Sequence, residues 1–260
     1  MLTRFIVHVL LFCLASPAWA DDLEAAAKGL KIAKDADTKN SGFKSETSEM
    51  KMLLINAHGD RTERKMSSKV LEGTADGDKS IITFLWPADV KETRMLTWTH
   101  KKANDDQWLY LPSLKRVKRI SSRNKSGSFM GSEFAYEDIG SQEIEKYTYR
   151  YLRDEPLSGR TTQVIERIPV DRKSGYSKQI VWMDTTYGQA IKIDFYDRKN
   201  ELLKTFSFTG FNQHGAYWRA DKIEAFNHQT RKKSILEWSG RKLGATVDAD
   251  DFSKDSLQDL

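Results

Sequence analysis

Residues 190–196 read AIKIDFY, and this short stretch decides the fold class because its apolar and polar side chains alternate. Ile191, Ile193 and Phe195 would lie on one face of a β-strand, with more polar neighbours on the other face. The stretch YTYRY at residues 147–151 alternates in the same way. Both patterns are typical of half-buried antiparallel strands.

The same two-residue period continues outward in both directions, with turn-forming pairs such as Ser158-Gly159 and His214-Gly215 at hairpin spacing. Further strands are predicted at residues 48–56, 63–71, 80–86, 94–99, 108–111, 117–121, 161–168, 178–183, 202–208, 216–226 and 233–238. A sheet of about ten or more strands tends to close into a barrel or split into layers rather than stay flat. We therefore predict a mainly β protein of the α+β class, built on one large curled antiparallel sheet.

One helix is predicted to lead the domain. Its apolar stripe has spacings of three and four residues and consists of Leu23, Ala26, Ala27, Leu30 and Ala33. No linker-like composition and no internal repeat interrupts the chain beyond it. Residues 21–260 are therefore predicted to form a single domain.

The first twenty residues have the three-part pattern of a secretory signal peptide. Arg4 precedes an apolar run at residues 5–15, and Ala18-Trp19-Ala20 offers a site for cleavage after Ala20. A membrane anchor is the alternative, but the run is shorter than the ~20 residues of a spanning helix. We predict export to the periplasm. Cys13, the single cysteine, would leave with the signal peptide, which excludes disulfides and thiol chemistry from the mature protein.

Residues 125–139 interrupt the strand rhythm. Glycines flank Phe129 and Met130, and Phe134 with Ile139 could form an apolar edge on a helical turn. We predict a lid over one opening of the sheet, with Phe129, Met130 and Phe134 as its apolar residues. An ordinary surface loop with a small apolar cluster of its own is the alternative.

The stretch WLYLPSLKRVKRI at residues 108–120, followed by GSEF at 131–134 and YED at 136–138, resembles the LolA-like family of outer-membrane lipoprotein-sorting proteins. The resemblance extends over nearly the whole chain from the first helix onward. It implies a LolA/LppX-like fold, in which the curled sheet forms an incomplete β-barrel covered by a few helices. It also implies a periplasmic carrier that holds the acyl chains of a lipid or lipoprotein and moves them between inner and outer membrane. An inner-membrane exporter of the resistance-nodulation-division type and an outer-membrane acceptor are the implied partners.

Large side chains recur in the predicted strands, and a barrel of this strand number leaves space that its own side chains need not fill. The predicted cavity lining is Trp86, Trp98, Trp108, Tyr149, Met183, Phe195 and Phe206. Each of these side chains could equally pack an ordinary core. In the family that the chain resembles, an internal arginine pairs with the lid, but no position of this sequence matches it. Arg94, Arg116 and Arg150 all fall in strand-like segments and any of them could play that role, so the gating mechanism stays unassigned.

Lys115, Arg116, Lys118 and Arg119 form the densest basic cluster of the sequence. We predict that they contact a partner protein or the anionic headgroups of a membrane surface, in a transient contact. A solvated hairpin is the alternative, because side chains on a strand divide between its two faces. Nucleic acid is not expected as a partner, since an exported protein rarely meets it and the formal net charge of +5 is mild.

No catalytic motif is found. The sequence lacks a Gly-x-Ser-x-Gly elbow, a His-Glu-x-x-His helix and a glycine-rich phosphate loop, and the histidines beyond the signal peptide are spread singly. We predict no enzyme activity, no metal site and no cofactor. The alternative function is an envelope sensor or adaptor, or an exporter accessory subunit, that uses the same fold to bind a membrane-protein partner.

Overall fold

The structure is a computed structural model that describes residues 17–258 of the chain. Residues 1–16, which contain most of the predicted signal peptide, lie outside the described residues. Export and cleavage after Ala20 therefore stay predictions. Within the described range, no helix combines the length and the apolarity needed to span a bilayer.

Helix α1 (Pro17–Asn40) leads the described chain and is longer than the helix predicted from the apolar stripe. Its buried side is formed by Gly29, Ile32 and Ala36, whereas Leu23 is 73% exposed. Small residues face the sheet because the helix lies very close to it: a Cβ on Gly29 would lie 2.7 Å from the backbone of Arg150. The apolar stripe predicted for the helix is therefore not the stripe that is buried against the sheet.

The described residues form one sheet of thirteen antiparallel strands. They are β1 (Ser45–Ile55), β2 (Arg61–Leu71), β3 (Lys79–Trp86), β4 (Arg94–Trp98), β5 (Asp106–Leu111), β6 (Arg116–Ile120), β7 (Tyr147–Leu157), β8 (Arg160–Pro169), β9 (Tyr176–Asp184), β10 (Ala190–Asp197), β11 (Leu202–His214), β12 (Tyr217–Asn227) and β13 (Lys233–Leu243). Short 3₁₀ helices lie at Pro112–Leu114, Phe129–Gly131, Tyr136–Asp138, Ile144–Lys146, Ala249–Phe252 and Asp255–Leu257.

The strand order is β6-β5-β4-β3-β2-β1-β13-β12-β11-β10-β9-β8-β7. Two meandering arms, β1–β6 and β7–β13, are thus joined by the pairing of the first strand with the last, in which Met50 lies opposite Trp238. The sheet curls without closing, and β6 and β7 are its two edges. The predicted fold class, a mainly β protein with a curled antiparallel sheet and an incomplete barrel, is confirmed.

The two faces of the sheet bury different apolar clusters, because side chains alternate along every strand. The inner cluster draws on both arms and includes Met52, Met66 and Met95 from one arm and Phe195 and Phe206 from the other. The outer cluster lies on the opposite face of β3–β5. It consists of Ile81, Leu96, Trp108, Tyr110, Phe252 and Leu257, the last two from the C-terminal 3₁₀ helices.

Residues 121–146 connect β6 to β7 across the inner face, and we call this segment the cover. Its Phe129 and Phe134 are almost fully buried in the inner cluster. Backbone hydrogen bonds within the cover, such as Phe129 N–H to the Phe134 carbonyl at 2.7 Å, give it a fixed internal shape. The cover thus encloses a space against the inner face of the sheet.

Candidate ligand cavity

A cavity of about 390 Å³ lies between the inner face of the sheet and the cover. Its volume is within the range of about 300–1,000 Å³ typical of small-ligand sites. The strands contribute Met50, Val70, Ile82, Ile193, Phe195, Phe206, Phe208, Ile223, Leu236 and Trp238 to its wall, and the cover contributes Phe134 and Ile139. This apolar wall is suited to a hydrocarbon chain.

Three charged residues also line the cavity: Glu46, Asp138 and Arg167. Glu46 has two cationic partners, since its carboxylate lies 3.0 Å from Arg241 Nε and 3.6 Å from Arg219 Nε. Buried charges are tolerated when they are paired in this way. Glu46 therefore brings no net negative charge to the cavity.

Asp138 belongs to a buried network that ties the cover to the sheet. Lys204 Nζ lies 2.5 Å from Asp138 Oδ2, and the two side chains are only 4% and 3% exposed. Lys204 also donates to the carbonyl of Glu133, and the Tyr176 hydroxyl donates to Asp138 Oδ1 at 2.8 Å. Burial, reinforced by the Asp138 carboxylate, raises the pKa of Tyr176 well above its ordinary value, so the phenol keeps the proton it donates.

Arg64 on β2 is a second anchor of the cover. Its Nη1 donates to the carbonyl of Met130, and its guanidinium lies 5.9 Å from the ring centroid of Phe84. Burial lowers the pKa of Arg64, and Nε is buried without a hydrogen-bond partner among the described residues. The anchor is thus a partly desolvated cation whose hydrogen bond goes to the backbone of the cover.

None of the three candidates for an internal arginine occupies this position, and the gating mechanism stays unassigned. The Nη1 of Arg94 donates to the Ser256 carbonyl at 2.8 Å on the outer face, and Arg150 is exposed beside Glu166. Arg116 is exposed on the edge strand β6. Strand pattern alone could not select Arg64, because the identity of the arginine depends on which strand passes beneath the cover.

Of the predicted lining residues, Phe195 and Phe206 line the cavity. Tyr149 and Met183 pack against the inner cluster without lining the cavity itself. Their shared location on the inner face follows from alternation within β7, β9, β10 and β11. The role of these four side chains in ligand binding stays a prediction.

The three tryptophans predicted to line the cavity lie elsewhere. Trp108 is buried in the outer cluster and Trp98 packs against it, with ring centroids 4.9 Å apart. Trp86, at the end of β3, is 49% exposed. The size of a ring does not reveal on which face of a strand the residue lies. In addition, the C-terminal 3₁₀ helices supply apolar side chains that cover the outer face.

The predicted lid residues lie in the cover. Phe129 and Phe134 are buried, Met130 is partly buried against the inner cluster, and Phe134 also lines the cavity. Met130 has a φ of +50°, a left-handed conformation that presents its carbonyl to Arg64. Movement of this segment as a lid stays a prediction.

The predicted basic cluster lies on the hairpin formed by β5, the 3₁₀ helix Pro112–Leu114 and β6. Lys115, Arg116, Lys118 and Arg119 are all exposed, and Leu114 at the tip is 66% exposed. Arg119 forms an ion pair with Asp106. Because β6 is an edge strand, these charges also discourage pairing with another chain.

The histidines do not converge, and residues 17–258 contain no group of three or more histidine, cysteine or acidic side chains placed to hold a metal ion. His100 lies 2.7 Å from Asp76 and 3.3 Å from Asp106. The hydrogen bond that Asp76 accepts from His100 raises the pKa of His100 and, reciprocally, lowers the pKa of Asp76 to about 2. This exposed pair connects two loops and lies apart from the cavity lining.

Sequence reasoning missed the charged lining and anchoring residues, although one signal was readable. Lys204 precedes Phe206 and Phe208 at two-residue spacing, and Arg167 follows Ile165 in the same way. A charged residue on an otherwise apolar strand face indicates a buried partner or a ligand.

Comparisons with known proteins agree with this architecture. A crystal structure of a domain from Vibrio parahaemolyticus, assigned to outer membrane lipoprotein sorting, is 47% identical with a TM-score of 0.88, covering 90% of this chain and 99% of that chain. A DUF1329 family protein from Desulfovibrio piger is 26% identical with a TM-score of 0.86 at the same coverage. A LolA superfamily protein from Nitrosomonas europaea, 22% identical over 88% of this chain and 98% of that chain, has a TM-score of 0.70.

The chain therefore shares its fold with a LolA superfamily protein. Residues 76–259 match a family model described as "Uncharacterized protein", and the chain belongs to this family, DUF1329. None of the curated proteins matches the chain. The resemblance drawn from the central motif is thereby confirmed.

Proposed function

We propose that this protein is a periplasmic carrier that binds the acyl chains of a lipid or lipoprotein and transfers them between the inner and outer membrane. The observation that carries the proposal is the apolar cavity of about 390 Å³ between the sheet and the cover. The lipoprotein-sorting assignment of the Vibrio parahaemolyticus relative supports the same reading. No catalytic role is assigned to any residue.

Burial of hydrocarbon supplies the binding energy in this proposal. Each methylene removed from water contributes about 0.8 kcal/mol. Phe195, Phe206, Phe208 and Ile223 offer rigid apolar walls that need little reorganisation. An acyl chain is therefore the natural occupant of the space.

The cover controls access in this proposal. Its polar contacts include the Lys204–Asp138 ion pair and the Arg64 hydrogen bond to Met130. Further hydrogen bonds reach the cover from Gln107, Gly175 and Asn227. Breaking these contacts would free the cover and expose Phe129 and Phe134. Opening therefore costs free energy, which contact with a partner would have to supply. An inner-membrane exporter, of the resistance-nodulation-division type, and an outer-membrane acceptor are the proposed partners.

The β5–β6 hairpin is the proposed contact with these membranes or partners. Its tip combines the exposed Leu114 with Lys115, Arg116 and Lys118. An apolar residue beside several cations suits an anionic surface, where each cation contributes about 1 kcal/mol.

The test is to express the full chain, purify the protein without detergent, and extract it with organic solvent for mass spectrometry. We expect an acyl-chain species in stoichiometric amount. Protein that is empty and also takes up no fluorescent fatty acid or phospholipid would overturn the proposal.

A pair of variants makes the test specific to the cavity. Ile223→Trp fills the cavity from β12, whereas Ile180→Trp adds the same bulk on β9 beside the outer-face residues Val164, Trp182 and Ile191. We expect Ile223→Trp alone to lose the bound lipid. Equal lipid content in both variants would mean that the lipid binds elsewhere.

A further inference from the structure

Arg167 is the charged residue of the cavity that lacks a counter-ion among the described residues. Glu46 is matched by Arg219 and Arg241, and Asp138 is matched by Lys204. No carboxylate of residues 17–258 lies within ion-pair distance of Arg167, while its side chain lines the cavity. The charges that the protein places around the cavity therefore leave one positive charge uncompensated.

The surroundings of Arg167 hold its guanidinium in place without neutralising it. Its Nε donates to Gln179 Oε1 at 2.5 Å, and the side-chain amide of Gln179 is buried. The guanidinium carbon lies 4.6 Å from the ring centroid of Tyr147. Gln179 is neutral and the ring supplies only a weak attraction, so the cation keeps its capacity for an anion.

The terminal nitrogens of Arg167 are left for a ligand. Within the described residues they donate no hydrogen bond to the protein, and they are not sealed from solvent as the orphaned Nε of Arg64 is. A planar guanidinium with both terminal nitrogens accessible matches a carboxylate or phosphate, which can accept two parallel hydrogen bonds.

Arg167 also lies at the polar side of the cavity. The Tyr147 ring beneath its guanidinium donates a hydroxyl hydrogen bond to Gln142 Oε1, at 2.6 Å, and Gln142 is an exposed cavity residue of the cover. Phe195, Phe206 and Ile223 form the apolar wall. The lining thus has the two-part character of an amphiphile, with a hydrocarbon region and a cationic region connected to solvent.

We propose that Arg167 binds the anionic group, carboxylate or phosphate, of an acyl ligand held in this cavity. The inference rests on the proposed carrier function and adds to it the class of ligand: an acidic amphiphile rather than a neutral one.

The experiment compares ligands of one chain length that differ only in the head: dodecanoate, dodecyl phosphate and dodecanol, with inorganic phosphate as a chain-free arm. Affinities are measured by calorimetry with the purified protein. We expect the two acidic amphiphiles to bind at least about tenfold more tightly than dodecanol, and inorganic phosphate to bind far more weakly than dodecyl phosphate.

Arg167→Gln should abolish this preference while leaving dodecanol affinity unchanged, and Arg167→Lys should retain part of it. Arg150→Gln, an exposed arginine on the neighbouring strand β7, is the matched control and should behave as the unaltered protein. Dodecanol binding reports that each variant is folded.

The outcomes separate the two proposals. If no amphiphile binds, the carrier function itself fails and the role of Arg167 fails with it. If dodecanol binds as tightly as the acidic amphiphiles in the unaltered protein, or if Arg167→Gln keeps the preference, the carrier function stands and the role of Arg167 is overturned. Tight binding of inorganic phosphate alone would show an anion site independent of the acyl chain and would also overturn the proposal.

Discussion

Strands β3–β5 have two faces, which are formed by alternate residues of the same strands. Each face is covered in a different way. On the outer face, Phe252 and Leu257 seal the cluster around Leu96, and Trp98 Nε1 donates to the Phe252 carbonyl at 2.8 Å. On the inner face, the cover meets the sheet through buried charges and leaves a cavity. The difference fits an outer layer that serves stability and an inner layer that serves the proposed binding.

The largest effect is expected on the outer face. Phe252→Ala removes a ring that is 1% exposed, which should lower the free energy of unfolding by about 3–5 kcal/mol. Urea unfolding measures it, and Leu114→Ala, at the exposed hairpin tip, serves as the control. Uptake of a fluorescent fatty acid should be unchanged. Loss of uptake in a folded Phe252→Ala protein would mean that the two faces are coupled, and the division proposed here would break.

The free energy of unfolding should fall almost as much when one buried charge is removed from the inner face. Lys204→Met leaves Asp138 buried without its cation and should cost about 3 kcal/mol, at the low end for such pairs because Tyr176 still donates a hydrogen bond to Asp138. Lys192→Met removes a more exposed ion pair, in which Lys192 Nζ lies 2.8 Å from Asp194 on the same strand, β10, and should cost less than about 1 kcal/mol. Equal losses in the two variants would contradict a special role for the buried pair.

Much of this fold was readable in the sequence. The alternation of AIKIDFY predicted a strand at residues 190–196, and β10 spans Ala190–Asp197; YTYRY likewise marked the start of β7 at Tyr147. Both could be predicted because side-chain alternation is a local property of a strand. The pairing of β1 with β13 could not be read in the same way, since it joins segments almost two hundred residues apart. Local pattern specifies strands, whereas the sheet order depends on how all of them pack together.

The cavity was harder to predict than the sheet, and the reason lies in its charges. Arg64, Arg167 and Lys204 look like surface residues by type, yet all three lie on the inner side of the sheet. For the aromatic residues the reverse holds. Trp98 and Trp108 were expected to line the cavity, but they pack against the C-terminal segment on the outer face. Whether a side chain lines a cavity depends on what covers each face, and no single strand carries that information.

A smaller and more local effect is expected at the second anchor of the cover. Arg64→Met should loosen residues 129–136 without unfolding the sheet, since the lost hydrogen bond is offset by removal of a desolvated cation. A hydrogen bond from a charged donor contributes about 1.5–3 kcal/mol, so local opening should become at least about tenfold more frequent. Amide hydrogen exchange measures it, with Arg61→Met at the exposed start of β2 as the control. Unchanged exchange in Arg64→Met would remove Arg64 from the anchoring of the cover.

The smallest effect tests whether pH acts on the cover. Burial, followed by the proximity of Asp78, raises the pKa of Glu143 to about 7, against the opposing effect of Lys146 and with smaller contributions from Asp37 and Glu145. A carboxyl group whose pKa is higher in the folded state than in the unfolded state stabilises the fold at pH values below its ordinary pKa. For Glu143 this stabilisation is lost as the pH rises through about 7.

Glu143→Gln should therefore raise the melting temperature by about 2–4 °C at about pH 8 and by almost nothing at about pH 5. Glu145→Gln, exposed two residues further along the cover, is the matched control and should show no such pH dependence. Hydrogen exchange at both pH values would show where the change arises. A gain confined to the cover would sharpen the contrast between the two faces. It would make the inner layer responsive to pH, while the outer cluster around Ile81, Leu96 and Phe252 stays indifferent to it. An equal gain at both pH values would mean that the amide stabilises the fold by packing or hydrogen bonding, and that the charge of Glu143 is not what strains the cover.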